Sequence, residues 1–134
     1  MPIISETDHL INSAFSIHFV IDRDLIIRSI SDISRRFMPN IEDQPLMSVF
    51  RIQRPSALSS FDDLISSNGK MALVETCDKS FAIRGQFISD IDGNQCRFVG
   101  SPWLAWMTKK RPDIKMKLRD FSAIDPQLDQ LVLL

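Results

Sequence analysis

Hydrophobic and polar residues alternate most clearly in residues 15–30, the first strand-like stretch of the chain. In its first half every second residue is apolar, which is typical of a strand that buries one face. Asp22-Arg23-Asp24 interrupts the apolar run with residues that favour turns, and a second β-branched segment follows. Two strands this close in sequence must run antiparallel, so the stretch predicts a β-hairpin.

Helical spacing dominates the middle of the chain. Ser31 is placed to cap a short helix that ends before Pro39, and residues 45–50 predict one further helical turn. The clearest helix covers residues 58–65, where apolar side chains repeat at helical intervals. Asn68-Gly69 then supplies a stop signal. We therefore expect several short helices between the hairpin and the last third of the chain.

The last third returns to strand spacing. Residues 71–76 and 81–87 predict two strands, and Asp92-Gly93 signals the turn before a third. That third strand, residues 95–106, is apolar on both faces, so it belongs in the centre of a sheet or is covered by a partner. Pro102 removes a hydrogen-bond donor within it, which predicts a bulge or the end of regular pairing.

This order of elements predicts an α+β domain with an antiparallel sheet. At this length the order is typical of PAS domains. We expect a five-stranded antiparallel sheet with short helices on one face, and its middle strand is residues 15–21 or 95–106. A capping helix in residues 1–14 should precede a PAS-like core of residues 15–108. Residues 109–134 should form a linker and the start of a C-terminal signalling helix.

Composition and charge narrow the functional classes. A chain of 134 residues is long enough for one domain with a real core. Its net charge of −1 gives no electrostatic case for binding nucleic acid or an anionic membrane. No apolar run is long enough for membrane insertion, and the first residues lack the features of a signal peptide. Cys77 and Cys96 are too few for a disulfide scaffold. We expect a cytoplasmic protein.

Six short motifs spread along the chain carry a resemblance to one family. They are HFVIDRDL at 18–25, FRIQRP at 50–55, IRGQF at 83–87, FVGSP at 98–102, LRDF at 118–121 and DQLVL at 129–133. In this order they resemble the H-NOX-associated PAS-like domain of soluble guanylate cyclases and bacterial signalling proteins. The motifs imply structural roles for His18, Asp22, Arg23, Asp24, Arg54, Pro55, Gly85, Gln86, Gly100, Ser101 and Pro102.

Residues that could carry catalysis or hold a cofactor are sparse. His9 and His18 have no third ligand at a spacing that suits zinc. Haem-binding PAS domains usually ligate iron from the helix before the third strand, and residues 58–67 contain no histidine. The NQCRF motif at 94–98 is similar to the flavin-reactive cysteine motif of light-sensing PAS domains, but here it enters a strand. We therefore expect no catalytic residue, metal, haem or flavin, and we expect Cys96 to be a small core residue.

Two groups of apolar residues are candidates for interfaces. Trp103 and Trp106, near the end of the last strand, are either core cover or an anchor for a partner. Asp125-Pro126 predicts the start of a helix whose apolar stripe continues to Leu134, as in a coiled coil that leads to an output domain. Apolar residues at the two ends predict a homodimer interface, although those at the N-terminus would equally cover their own sheet: Ile3, Ile4, Leu10, Ile11, Leu128, Leu131 and Val132.

Two classes of function follow from the resemblance. The first is a non-catalytic sensory and dimerisation module that relays the state of a gas-sensing H-NOX partner to an output domain. The whole protein would then be a signal-transduction protein, with a histidine kinase of a two-component system as the expected output and a cyclase as another. Because Met1 has the features of a true start, we expect the H-NOX partner to be a separate chain. The second class is a PAS sensor that binds a small ligand between helix and sheet, and a small enzyme is a weaker third.

Overall fold

One antiparallel sheet of six strands organises the chain in this computed structural model, which describes residues 15–90, 92–114, 120 and 127. The strands lie in the order β2-β1-β6-β5-β4-β3, so β6 and β5 occupy the centre. Every neighbouring pair is antiparallel. The strands are β1 (Ile17–Asp22), β2 (Ile27–Ile30), β3 (Phe50–Arg54), β4 (Ala72–Thr76), β5 (Ala82–Ser89) and β6 (Gln95–Pro102).

Short helices join the strands. They are α1 (Asp32–Phe37), α2 (Leu46–Val49), α3 (Phe61–Ser66) and α4 (Leu104–Lys110). The Ser31 hydroxyl caps α1 by accepting from the Ser34 N–H, and Ser60 and Asp63 form a capping box at α3. Among the described residues, no helix is both long and apolar enough to cross a membrane.

The predicted α+β class with an antiparallel sheet is confirmed, and so are the hairpin and the helices that follow it. The predicted number of five strands is wrong, because β3 adds a sixth at the edge. Its pairing with β4 shifts register between Ile52 and Arg54, and only Phe50 and Ile52 among its side chains contact the core. The alternation of Phe50-Arg51-Ile52-Gln53 covers only four residues, and the sequence indicated no more than an extended end before Pro55.

The predicted strand over residues 95–106 is also wrong at its end. β6 stops at Pro102, and α4 begins two residues later. Proline has no N–H to donate, and the Trp103 N–H makes the last bond to the sheet, to the Ala82 oxygen at 2.9 Å. Leu104 and Met107 are buried at helical spacing. The periodicity of a short apolar run does not distinguish strand from helix, which explains the error.

The core lies on the concave side of a curved sheet. Phe19 on β1 stacks on Phe50 of β3, with ring centroids 5.4 Å apart, although three strands separate β1 from β3 in the sheet. A flat sheet would hold strands four places apart at roughly 19 Å, given a spacing of about 4.8 Å between neighbours. Phe19 also stacks on Phe98 at 5.2 Å, and Phe87 meets Phe98 edge-on at 5.3 Å. Aromatic side chains therefore fill the space enclosed by the sheet.

Candidate functional site

Asp22 and Arg23 hold the two turns at one end of the sheet. The Asp22 carboxylate accepts the backbone N–H groups of Asp24 and Ile26 at 2.9 and 3.0 Å, and the Arg28 Nε donates to it at 2.9 Å. Partial burial opposes ionisation, but these hydrogen bonds outweigh it and lower the pKa of Asp22. Arg23 donates to the Gly93 oxygen at 2.9 Å and lies over the Phe61 ring. The motif residues here therefore fix loop geometry.

Asp22→Asn is expected to lower the free energy of unfolding by about 1 kcal/mol at neutral pH, because the charge-assisted bond from Arg28 is lost. The folded-state pKa of Asp22 lies below the ordinary 3.8, so the carboxylate contributes fully above that value and loses its contribution as pH falls through the folded pKa. Urea unfolding of both proteins at neutral pH and at about pH 3 measures this. The difference in unfolding free energy between wild type and Asp22→Asn should be smaller at about pH 3 than at neutral pH. An equal difference at the two pH values would contradict a stabilising role of the ionised Asp22.

His18 is a buried residue of the convex face of the sheet. Its Nε2 lies 3.2 Å from an Arg97 NH1, and the Arg97 Nε donates to Asp90 at 2.9 Å. A guanidinium group only donates, so the His18 Nε2 is the acceptor of this hydrogen bond. Within the described residues, no group of three His, Cys, Asp or Glu side chains is placed to hold a metal ion. His18 thus serves as a hydrogen-bonded member of the sheet.

The two cysteines differ in accessibility. Cys96 is wholly buried, and burial, assisted by the Asp90 carboxylate, raises the pKa of its thiol to about 12. Cys77 is exposed. Because the thiolate is the reactive form, a thiol reagent such as iodoacetamide is expected to modify Cys77 and leave Cys96 intact in the folded protein.

Mass spectrometry of the alkylated protein measures this directly, with protein in denaturant as the control in which both thiols react. Rapid labelling of Cys96 in the folded protein would mean that the core around β6 opens readily.

Other motif residues lie in the centre and at one edge of the sheet. Gly85 and Gly100 pair directly across β5 and β6, where a Cβ atom on Gly100 would lie 2.1 Å from the Arg84 oxygen. The residue after Gly85 is Gln86, which lies on the convex face and pairs with Val99 of β6. Arg54 ends β3 and is joined to Pro55 by a cis peptide bond. Because β5 and β6 approach so closely at Gly85 and Gly100, both positions require glycine.

The tryptophans lie close to the core. Trp106 is nine-tenths buried within it, whereas Trp103 is partly exposed and packs against it. Little of Trp106 is available to a partner, and partner binding by this pair stays a prediction. The residues predicted for the dimer interface lie outside the described part of the chain: Ile3, Ile4, Leu10, Ile11, Leu128, Leu131 and Val132.

Two buried polar residues that sequence reasoning did not single out, Asp120 and Gln127, contact α1, the end of β6 and the start of α4. Gln127 donates to the Ser101 hydroxyl at 2.9 Å and to the Pro102 oxygen at 2.8 Å, and it accepts the Leu104 N–H at 2.8 Å. By accepting the Leu104 N–H, Gln127 caps α4, whose own N-cap residue is a tryptophan without a capping oxygen. The fully buried carboxylate of Asp120 pairs with Arg36 of α1 at 2.6 Å. Asp120 belongs to the LRDF motif, but neither that motif nor the sequence around Gln127 indicates which distant residues these side chains contact.

A cleft of about 300 Å³ lies between the end of α1, α2 and the turn that joins β4 to β5. This volume is at the lower limit for small-molecule sites. Asp78 lies at its rim, where the Ser80 hydroxyl and N–H donate to the carboxylate and lower its pKa. The lining is mixed: Phe37, Met38, Pro39, Asn40, Ile41, Ser48, Val49, Thr76, Cys77, Asp78 and Ser80.

Comparison with known protein families gives a match. The model of a family described as heme NO binding associated matches residues 5–82, which is more than half of the chain. No curated protein matches the chain.

Proposed function

The chain belongs to the heme NO binding associated family, which implies association with gas-sensing H-NOX proteins, and from this we propose that it is a non-catalytic sensory and dimerisation module. In this proposal the domain has a PAS-like fold and relays the state of an H-NOX partner to an output domain. A histidine kinase of a two-component system is the output we expect, in a cytoplasmic protein.

The observation that carries the proposal is the filled core. A PAS sensor with its own ligand needs a cavity between helix and sheet. Here Phe98 contacts both Phe19 and Phe87 in that space, and each of the three is about 1% exposed or less. A closely packed interior transmits displacements between elements, because it has few alternative arrangements. Packing of this kind favours a relay over sensing by a ligand held in the core.

The relay needs a path from the sheet to the C-terminal part of the chain. Gln127 donates to Ser101 and Pro102 at the end of β6, and Asp120 pairs with Arg36 of α1. A partner that shifts β6 or α1 would therefore act on Gln127 or Asp120, which precede the segment proposed to carry the signal. Docking transmits a signal only if it favours one arrangement of the module over another.

The relay is tested in a longer protein that continues past Leu134 into its output domain. Leu128→Asp and Leu131→Asp should uncouple the output from the partner and leave the partner bound. Equal regulation of wild type and variants would refute the relay. Loss of partner binding would instead identify this segment as the docking site.

Dimerisation is tested by sedimentation equilibrium of the isolated domain, for which we expect a dimer. Burial of several apolar side chains contributes roughly 1.5–3 kcal/mol each as an upper range. A monomer of 15.3 kDa at high concentration would count against the dimer. If Ile4→Asp and Ile11→Asp both leave a dimer intact, the N-terminal residues are not its interface.

The cleft beside Val49 supports a second candidate function, a sensor that binds a small ligand directly. Its apolar wall and the Asp78 carboxylate would suit a small amphipathic molecule with a donor group. Native mass spectrometry of the purified domain should then detect a bound small molecule, and Val49→Trp, which fills the cleft, should remove it. A bound molecule that survives Val49→Trp would place the ligand elsewhere.

A further inference from the structure

The convex face of the sheet is divided into a covered and an accessible half. On β1 and β6 this face is mostly buried, with His18, Val20 and Val99 each less than 5% exposed. On β3, β4 and β5 the same face is partly or fully exposed, except at Glu75 and Ala82, which are buried. We call this accessible part the basic face, and it consists of Arg51, Arg54, Met71, Leu73, Arg84 and Gln86.

The strand register brings the three arginines of the basic face onto one surface. Arg54 of β3 pairs with Leu73 of β4, and Leu73 pairs with Arg84 of β5, so the two arginines flank one apolar side chain. Arg51 also projects from this face, opposite Glu75. Met71 is 54% exposed, and its sulfur lies 3.9 Å from the Arg84 guanidinium. The surface therefore combines positive charge with exposed apolar area.

None of these three arginines forms an ion pair with a described residue. Glu75, the carboxylate nearest in register, is buried and makes no ion pair with them. Five other arginines of the described chain find a carboxylate at 3.3 Å or less: Arg28, Arg35, Arg36, Arg97 and Arg111. Arg23 has no carboxylate partner, but it donates to the Gly93 oxygen and lies over the Phe61 ring. Among the described residues, the arginines with neither a carboxylate nor a backbone partner therefore lie together on one face.

Protection of the sheet edge accounts for only part of this arrangement. Charged residues on an edge strand prevent pairing with a second chain, and β3 is an edge strand. Arg84 lies on β5, a central strand that has no free edge. An unpaired, half-buried arginine beside an exposed methionine in the middle of a sheet is typical of a binding surface, where arginine and methionine are enriched.

We propose that the basic face docks an acidic patch on the H-NOX partner protein. This inference rests on the proposed function and names the surface that the association uses. A second copy of this chain is a poor occupant, because a twofold contact through this face sets the same arginines against one another. Complementary charge speeds the encounter and orients the partner, while the apolar side chains of Met71 and Leu73 lose contact with water.

The test measures binding of the domain to the purified, haem-loaded H-NOX protein of the same organism. Arg54→Glu/Arg84→Glu is expected to weaken binding by about tenfold or more at low salt, and to flatten its dependence on salt. Arg54→Gln/Arg84→Gln should fall between this variant and wild type. The matched control, Lys109→Glu/Lys110→Glu, reverses two exposed charges on α4 and should bind as wild type does. Circular dichroism establishes that each variant is folded.

Four outcomes would overturn the inference. Unchanged binding by a folded Arg54→Glu/Arg84→Glu variant would show that the partner docks elsewhere, and the proposed function would stand. An equal loss in the lysine control would mean that only overall charge matters. A change in the oligomeric state of the arginine variant, with partner binding intact, would assign the face to self-association. If wild type itself does not bind the H-NOX protein, the proposed function fails and this docking surface fails with it.

Discussion

Gly100→Ala is expected to lower the free energy of unfolding by at least about 3 kcal/mol, the upper end of the usual cost of overpacking. The added Cβ would lie 2.1 Å from the Arg84 carbonyl oxygen and 2.8 Å from the Gly85 Cα. Both atoms belong to the backbone of the neighbouring strand, so no rotation of a side chain relieves the clash. Because β5 and β6 are the two central strands, their separation would disturb the whole sheet.

Urea unfolding followed by circular dichroism measures this loss, with Gly69→Ala as the matched control. Gly69 has a φ of +86° and nothing within 4 Å of an added Cβ, so only the strain of the left-handed region applies. That strain costs roughly 1–2 kcal/mol. If Gly100→Ala were no worse than Gly69→Ala, the close approach of β5 and β6 would be incorrect.

Phe98→Ala is expected to cost about 3–5 kcal/mol, the usual range for removal of a buried aromatic ring. The Phe98 ring is fully buried and contacts both Phe19 and Phe87. Its loss should open an apolar cavity in the space that a ligand-binding PAS domain would reserve for its ligand. A small aromatic molecule such as benzene should then raise the melting temperature of the variant and leave that of wild type unchanged.

The conservative variant Phe98→Leu, which keeps most of the side-chain volume, should lose far less stability than Phe98→Ala. A stabilising effect of benzene on wild type as well would show that the core already contains a cavity. That result would weaken the case for a relay and strengthen the case for a ligand-binding sensor.

Local patterns in the sequence were sufficient for much of the fold. The hairpin follows from the alternation of Ile17, Phe19 and Ile21, and α1 and α3 follow from their serine caps and apolar spacing. Each of these signals is contained within about one element, where spacing and capping decide the structure. The edge strand β3 has only a short signal, because its apolar alternation consists of two residues, Phe50 and Ile52.

The functional surfaces were harder to predict because they depend on contacts between distant elements. Arg54 and Arg84 become neighbours only through the register of β3, β4 and β5. Gln127 reaches the end of β6 from 25 residues away in sequence. The stacking of Phe19 on Phe50 requires a curved sheet, and nothing in either segment alone specifies that curvature. The motifs did identify the family, but not the physical role of its glycines or arginines.

We expect this module to respond to the state of an H-NOX protein. The most direct measurement is its affinity for the purified H-NOX partner, determined by titration calorimetry with the haem ferrous and unliganded, and again with NO bound. We expect binding in at least one state and a difference of about fivefold or more between the two, which corresponds to a coupling free energy of about 1 kcal/mol. Equal affinities in the two states, or no binding in either, would contradict a relay.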